Sequence, residues 1–453
     1  MIPSLFIHLI VMLAVICLWF FAVRRPIYEG VILSFIVLVA MTGTWQNLWS
    51  FITGAIDTSL LYSMMAFVAM SQILAKTKII DNCVLIIISL LGRIPGGAGY
   101  ASVIASSFMG ALSGSGPGNV MATGTITIPA MKKTGFPPEL AANVESASSY
   151  LGNMIPPSAN IVAAMGAYIS VYGDSTMTTG SFWMVCWSVS LWFILSRIIM
   201  VFAFCKYYKI KPMAKEDIPS FKETMKSGWT GLLLPVIILV PFVFDAIFNA
   251  GFLTNRLGAT GAKHFSSSIL VFIAGITAFV GICITKKKEN IGFKKTVDII
   301  SKGVKGLAPT VATCIFGYMI GELFTYIKAG EELQAFMQSI SLGKVGLAFI
   351  IPLICCFITM VIPGSSVVVM FGPAFIVLFA AVGVNPLLVA AMLPCICGVM
   401  CGITPPFALG MYAGMSIAES DFDKTLKNDL WWVAVQYILE VVILLGLLPN
   451  FGL

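Results

Sequence analysis

Charge is what this sequence has least of. Only 10% of its 453 residues are Asp, Glu, Lys or Arg, against roughly 25% in an ordinary soluble domain. A soluble fold of this size needs a charged exterior, so that class is excluded. Histidine is scarcer still: His8 and His264 are the only two, which leaves metal or haem chemistry almost nothing to work with. The 11 cysteines do not fill the gap. Cys186, Cys205, Cys314, Cys355 and Cys356 stand inside apolar runs, where a thiol behaves as a small hydrophobe. Cys395, Cys397 and Cys401 form one cluster with no histidine near it, so a metal site lacks its other ligands. No paired intramembrane Asp, His-Glu metal motif or serine–histidine pair supports an enzyme.

What is abundant is apolar surface: 58% of residues are hydrophobic and the mean hydropathy is +0.97. A bilayer removes the need for a charged exterior, so the chain reads as an all-α polytopic membrane protein. With a span of about 20 residues as the ruler, crossings are expected near 5–23, 30–43, 59–75, 181–205, 229–248, 267–285, 306–327 and 430–449. No positive charge precedes the run from Leu5 to Val23, and Arg24-Arg25 follow it. That is the pattern of an uncleaved first span with its N terminus outside, not of a signal peptide.

Residues 94–170 and 344–418 are apolar too, but Gly, Pro, Ser and Asn puncture them at mid-depth. Such breaks are tolerated in a membrane only inside protein or beside a wet cavity. Sliding one stretch by 249 residues sets Val120-Met121 on Val369-Met370 and Pro137 on Pro386. The same shift sets Pro156-Pro157 on Pro405-Pro406 and Trp183 on Trp432. One offset holding without a gap marks an internal repeat. Charge orients the halves: Lys132-Lys133 follow the first punctured segment, whereas Ala381-Val382 stand at the equivalent place. With the N terminus outside, and with Ile79 to Leu91 and its counterpart 328–342 lying at the interface, 22 of the 27 Lys and Arg fall on the cytoplasmic side. The excess positive charge of +7 is therefore mostly topology rather than a nucleic-acid surface, and the repeats are inverted.

Each repeat offers the same two devices. The first is a re-entrant hairpin, with arms expected at 99–113 and 120–131 around Ser113-Gly-Ser-Gly-Pro-Gly-Asn119, and at 344–362 and 367–381 around Pro363-Gly-Ser-Ser366. Glycine admits a ligand close to the backbone and proline stops the helix. A half-helix starting at Asn119 or Ser366 would aim its positive end at the membrane centre, which suits a carboxylate. The second device is a broken helix: 139–170, interrupted at 152–158, and 387–418, interrupted at 402–406. Proline strips partners from the carbonyls before it. Those carbonyls, with oxygens of Asn153, Ser158 or Thr404, make a neutral cage for a hard monovalent cation, an arrangement recurrent in transporters. A lone Gly-Ser-Gly or Pro-Pro is more often a kink with a small packing face; four breaks paired by one offset argue for a transport site instead. The glycine-rich tips do not read as nucleotide loops, since no Lys-Ser/Thr follows. A channel would need a continuous polar lining, and here polar residues cluster at mid-depth. Among intramembrane acids, Glu145, Glu322 and Glu440 are suspects by default. Glu145, two turns before the first break, also reads as a structural or cytoplasm-facing acid, and Arg197 either shapes the substrate field or pairs with an acid.

The stretch Ser113-Gly-Ser-Gly-Pro-Gly-Asn-Val-Met-Ala-Thr-Gly124, with Ile128-Pro-Ala-Met-Lys132 and Gly135, resembles the first hairpin of the large membrane subunit of tripartite ATP-independent periplasmic (TRAP) transporters. Ile155-Pro-Pro-Ser-Ala-Asn160 and Gly402-Ile-Thr-Pro-Pro406 are similar to that family's two helix breaks, and the resemblance runs from about residue 59 to the C terminus. It implies Na⁺-coupled uptake of organic acids by an elevator motion across a bacterial or archaeal cytoplasmic membrane. It also implies a small membrane subunit and an extracytoplasmic binding protein as partners, beside the organic anion and membrane lipid. Val367-Val368-Val369 depart from the family, where polar groups are expected after the second tip.

The expected domains are N-terminal scaffold spans (1–58), repeat one (59–205), connecting loops and scaffold spans (206–305) and repeat two (306–453). The two spans before residue 50 are too few for a fused small subunit. Substrate-binding candidates are Ser115, Gly116, Asn119, Ser365 and Ser366. Cation candidates are Ser113, Gly114, Asn153, Pro156, Ser158, Gly364, Gly402 and Thr404, with Na⁺ the expected ion and H⁺ the alternative. The rival reading is a self-sufficient Na⁺- or H⁺-coupled carboxylate symporter of the same architecture.

Overall fold

Apolar runs in a bilayer must close their backbone hydrogen bonds within themselves, and every regular element among the described residues is helical. The computed structural model describes residues 4–57, 59–74, 77, 79–113, 116–173, 177–289, 292–305, 307–328, 343–360, 364–405 and 408–453. Helices Ser4–Phe21, Ile27–Thr42, Ser59–Leu74, Thr179–Tyr208, Leu233–Phe248, Thr254–Glu289, Leu307–Tyr326 and Phe422–Leu444 occupy the eight stretches expected as crossings. The sixth is longer than its apolar run because it continues back past Gly258, where φ is +74° and the axis kinks. Ile79–Leu91 is a short helix packed on Phe221–Gly228 and on the first hairpin. Its expected counterpart at 328–342 lies almost wholly outside the described residues.

The first hairpin is Gly97–Ser113 followed by Gly116–Lys133, and the second is Lys344–Thr359 followed by Gly364–Ala381. Both second arms start earlier than the tips suggested, at Gly116 rather than Asn119 and at Gly364 rather than Ser366. In the first, Pro117 sits in the opening turn, where its missing N–H has no helical partner to lose. The first broken helix is Pro138–Leu151, a tight turn at Gly152–Met154, then Ala159–Tyr172 capped by the Ser158 hydroxyl. The second breaks sooner than expected. Pro386–Leu393 gives way to a wide turn at Pro394–Val399 and a tight one at Met400–Gly402, and the helix resumes at Leu409. Pro394 cannot donate to the carbonyl four residues back, so the ladder loosens there before the helix stops at residues 403–405, within the expected interruption.

Packing exchanges the repeats. The second arm of the first hairpin lies against Leu409–Ala418, and the second arm of the second hairpin lies against Ala159–Tyr172. Each contact is the image of the other under the repeat. The hairpins open at opposite ends. At one end Lys132 Nζ donates to Ala418 O (2.7 Å), Lys133 pairs with Asp217, and Lys211 N donates to Thr134 O (3.0 Å). The helix Phe422–Leu444 leaves from that end and, at 23 residues, runs about 34 Å. Beyond its far end, the Lys344 ammonium at the base of the second hairpin lies beside Gly446, and Tyr437 Oη donates to Phe349 O (2.8 Å).

Candidate functional site

The two breaks meet at Gly398. Asn153 Nδ2 donates to Gly398 O (3.1 Å), and Gly364 abuts the Cys397 carbonyl and Gly398 so closely that a Cβ there would overlap them. Asn153 and Gly364 thus come together from opposite repeats. Ser158 Oγ donates to Asn153 O while accepting from Ile161 N, so it closes the first break and caps the half-helix after it. Thr404 Oγ1 donates to Met400 O (2.7 Å), and Pro156 lines a recess of about 20 Å³ with Pro157, Phe108 and Trp187. That is room for roughly one water. Ser365 is half-buried in the first turn of its helix and Ser113 ends the first arm; Ser366 belongs to that same turn. The side chains of Ser113 and Ser366, and the whole of Gly114 and Ser115, lie outside the described residues.

Gly116 and Gly402 also come together, through a residue the sequence reading did not single out. The ring of Tyr150 lies between Gly116, Gly402 and Gly410, each so near that a Cβ would stand closer than 3.0 Å to ring carbons. The phenol hydrogen-bonds the backbone of Gly410 at the start of the second half-helix. One side chain of the first broken helix therefore keys the first hairpin into the second break. Nothing in the sequence around Tyr150 signals this, because two of the glycines that receive it, Gly402 and Gly410, are more than 250 residues away.

Glu145 proves to be a structural centre of the first repeat. It is fully buried, and five hydroxyls donate to it: Ser106 (2.8 Å), Ser149 (3.0 Å) and Thr123 to Oε1, Ser102 (2.7 Å) and Thr127 to Oε2. Three helices each supply a pair spaced by four (102 and 106, 123 and 127, 145 and 149), which is one helical face each. That spacing was legible. These bonds fasten both hairpin arms to the broken helix. Asn119 joins the cluster. Its Nδ2 donates to Ser106 O (2.8 Å) and Ser149 Oγ (2.9 Å), while its buried Oδ1 has no partner. Both N–H groups are committed, so Asn119 in this arrangement can offer a ligand only an acceptor. That does not fit the anion-donor role expected of it.

Arg197 faces no acid at ion-pair distance among the described residues. It donates to Gln436 Oε1 and lies 5.7 Å from the Trp432 ring centroid. Glu322 is exposed beside Gly54 on the scaffold.

Two membrane transporters share this fold. One is described as Neisseria gonorrhoeae MtrF, of a class of antimetabolite efflux pumps, with TM-score 0.64, 15% identity, and 90% of this chain and 83% of that one covered. The other is the Alcanivorax borkumensis YdaH transporter, with TM-score 0.57, 16% identity, and 90% and 89% covered. Sequence relatives are nearer in kind. The Vibrio cholerae C4-dicarboxylate TRAP transporter large permease is 25% identical, covering 84% of this chain and 83% of its own. The V. cholerae sialic acid TRAP transporter large permease is 22% identical, covering 93% and 92%. The Escherichia coli 2,3-diketo-L-gulonate TRAP transporter large permease is 24% identical, covering 86% and 85%. The family model for the tripartite ATP-independent periplasmic transporter, DctM component, matches residues 5–451, and the chain belongs to that family of multi-pass transporter subunits.

Proposed function

We propose that this chain is the large permease subunit of a secondary transporter importing an organic acid with Na⁺ across the cytoplasmic membrane. Its partners are a small membrane subunit and an extracytoplasmic binding protein. The observation that carries the reading is the convergence of two helix breaks and two hairpins, entering from opposite ends, on Gly398 and Tyr150. Half-helix N termini there favour an anion, and unwound backbone favours a hard cation. The substrates named for the relatives include C4-dicarboxylates and sialic acid, both anions that such a field suits.

The residues sort by what they can offer. The backbone amides from Gly116 and Ser365 onward, with the hydroxyls of Ser115, Ser365 and Ser366, are donors and go to the anion. Asn119 moves to the cation set because only its Oδ1 is free. It joins Asn153, Thr404 and the carbonyls before Pro156 and Pro405. These neutral oxygens fit a monovalent ion. An elevator motion of the hairpins against the scaffold then carries anion and cation together.

Reconstitution with the small subunit tests the reading. The binding protein's ligand is identified first by mass spectrometry, then followed as a radiolabelled solute into proteoliposomes. Uptake should need the binding protein and an inward Na⁺ gradient, and should rise with an inside-negative potential, each net charge gaining about 2.3 kcal/mol per 100 mV. Full uptake without Na⁺ overturns the coupling, and full uptake without the binding protein supports the self-sufficient symporter.

A further inference from the structure

Glu145 and Glu440 are both fully buried glutamates, and their hydrogen bonds differ in kind. Glu145 accepts hydrogen bonds at both oxygens. Glu440 accepts at Oε1 alone, from Gln436 Nε2 (2.9 Å) and Cys395 Sγ (3.3 Å), and its Oε2 has no partner. One accepting oxygen and one bare oxygen is the pattern of a neutral carboxylic acid, with Oε1 the carbonyl and Oε2 the hydroxyl. An ionised Glu440 would leave a charged oxygen buried and bare, which is far more costly than a bare hydroxyl.

The surrounding charges agree. Arg197 faces both Glu440 and Asp429 from the helix Thr179–Tyr208; Glu440 is also faced by Tyr437 from its own helix, Cys355 and Cys356 from the second hairpin, and Cys395 from the second broken helix. That is one buried cation against two buried carboxyls. Asp429 accepts from Asn143 Nδ2 (2.9 Å) and, unlike Glu440, has no oxygen buried without a partner. A single proton balances the set. Arg197 Nε, like Glu440 Oε2, is buried without a partner, and Gln436 stands between them, accepting from Arg197 Nη2 and donating to Glu440 Oε1.

We propose that Glu440 is a proton-binding site whose proton is exchanged as the second break moves. Cys395, one of the two donors to Oε1, belongs to the wide turn Pro394–Val399 that leads directly into the break. When that turn rearranges, Oε1 loses the thiol. The O–H bond at Oε2 breaks, its proton passes to water reaching the break, and the carboxylate left behind takes the free Arg197 Nε–H as its partner. The fold does not require this cluster. Under the 249-residue offset, Arg197, Gln436 and Glu440 correspond to Gly446, Trp187 and Leu191 in the other repeat. The site is separate from the cation cage, so it stands whether or not Na⁺ drives uptake.

Infrared spectroscopy of the full chain in lipid vesicles tests it without any substrate. The wild type should show a buried carboxylic-acid C=O stretch that moves in D₂O and is lost on alkaline titration. Glu440→Gln, which copies the neutral acid's shape, should lack the band. Cys395→Ser should shift it to lower frequency, because a hydroxyl donates to Oε1 more strongly than a thiol, and this variant serves even where Glu440→Gln fails to fold. Absence of the band in the wild type overturns the proposal. So does a band insensitive to pH, one retained in Glu440→Gln, or one unmoved by Cys395→Ser.

Discussion

The ring of Tyr150 fills the space where a Cβ on Gly402 would stand, joining the first broken helix to the second across the repeat boundary. Gly402→Ala should therefore overpack the junction and destabilise by about 1–3 kcal/mol. The same change should be much milder when Tyr150→Ala has removed the ring. A double-mutant cycle by thermal unfolding in detergent should then give a coupling of at least about 1 kcal/mol. Additive losses would mean the two residues do not share this space.

The hydroxyl cluster makes a second prediction. Glu145→Gln puts an N–H against donors that had an acceptor, and a buried donor without a partner costs about 1–3 kcal/mol. We expect a lower melting temperature together with faster amide hydrogen exchange across Gly97–Lys133, since the carboxylate ties both arms of that hairpin. A drop in melting temperature with unchanged exchange in the hairpin would place the damage elsewhere.

How much of this was legible in the sequence follows from the range of each signal. The repeat, the hairpin arms and the first break rest on proline, glycine and apolar length, which act within a few residues, and the helices fall there. Pro394 was the exception. It reads as one more proline in an apolar run, and its effect on the ladder shows only once the wide turn is seen. Tyr150, Gly398 and the Gln436 bridge act between residues hundreds of positions apart, and no local pattern announces them. For Asn119 the sequence cannot tell which atom is free, because that depends on Ser106 and Ser149.

Sidedness gives a third prediction. Lys132 bonds the end of the second broken helix at Ala418, and Lys344 lies at the opposite end of the molecule beside Gly446. On a cysteine-free background, a cysteine placed near Lys132 should react with an impermeant maleimide from the cytoplasmic side, and one at Val382 from the outside. Labelling of both from one side would be incompatible with inverted hairpins.

The last prediction separates the two ligands at the first hairpin. Asn119 keeps both N–H groups on Ser106 O and Ser149 Oγ and presents only Oδ1. If that oxygen helps hold the cation, Asn119→Ala removes one interaction with a charged group, worth about 1.5–3 kcal/mol. The Na⁺ concentration for half-maximal uptake should then rise by roughly one to two powers of ten. At saturating Na⁺ the substrate dependence should stay near that of the wild type, because the amides proposed to meet the anion are untouched. Ser268→Ala is the control, since its hydroxyl only returns to His264 O on an exposed helix face. A large rise in the substrate requirement with unchanged Na⁺ dependence would return Asn119 to the anion. That result would require its amide to turn over on binding and release Ser149.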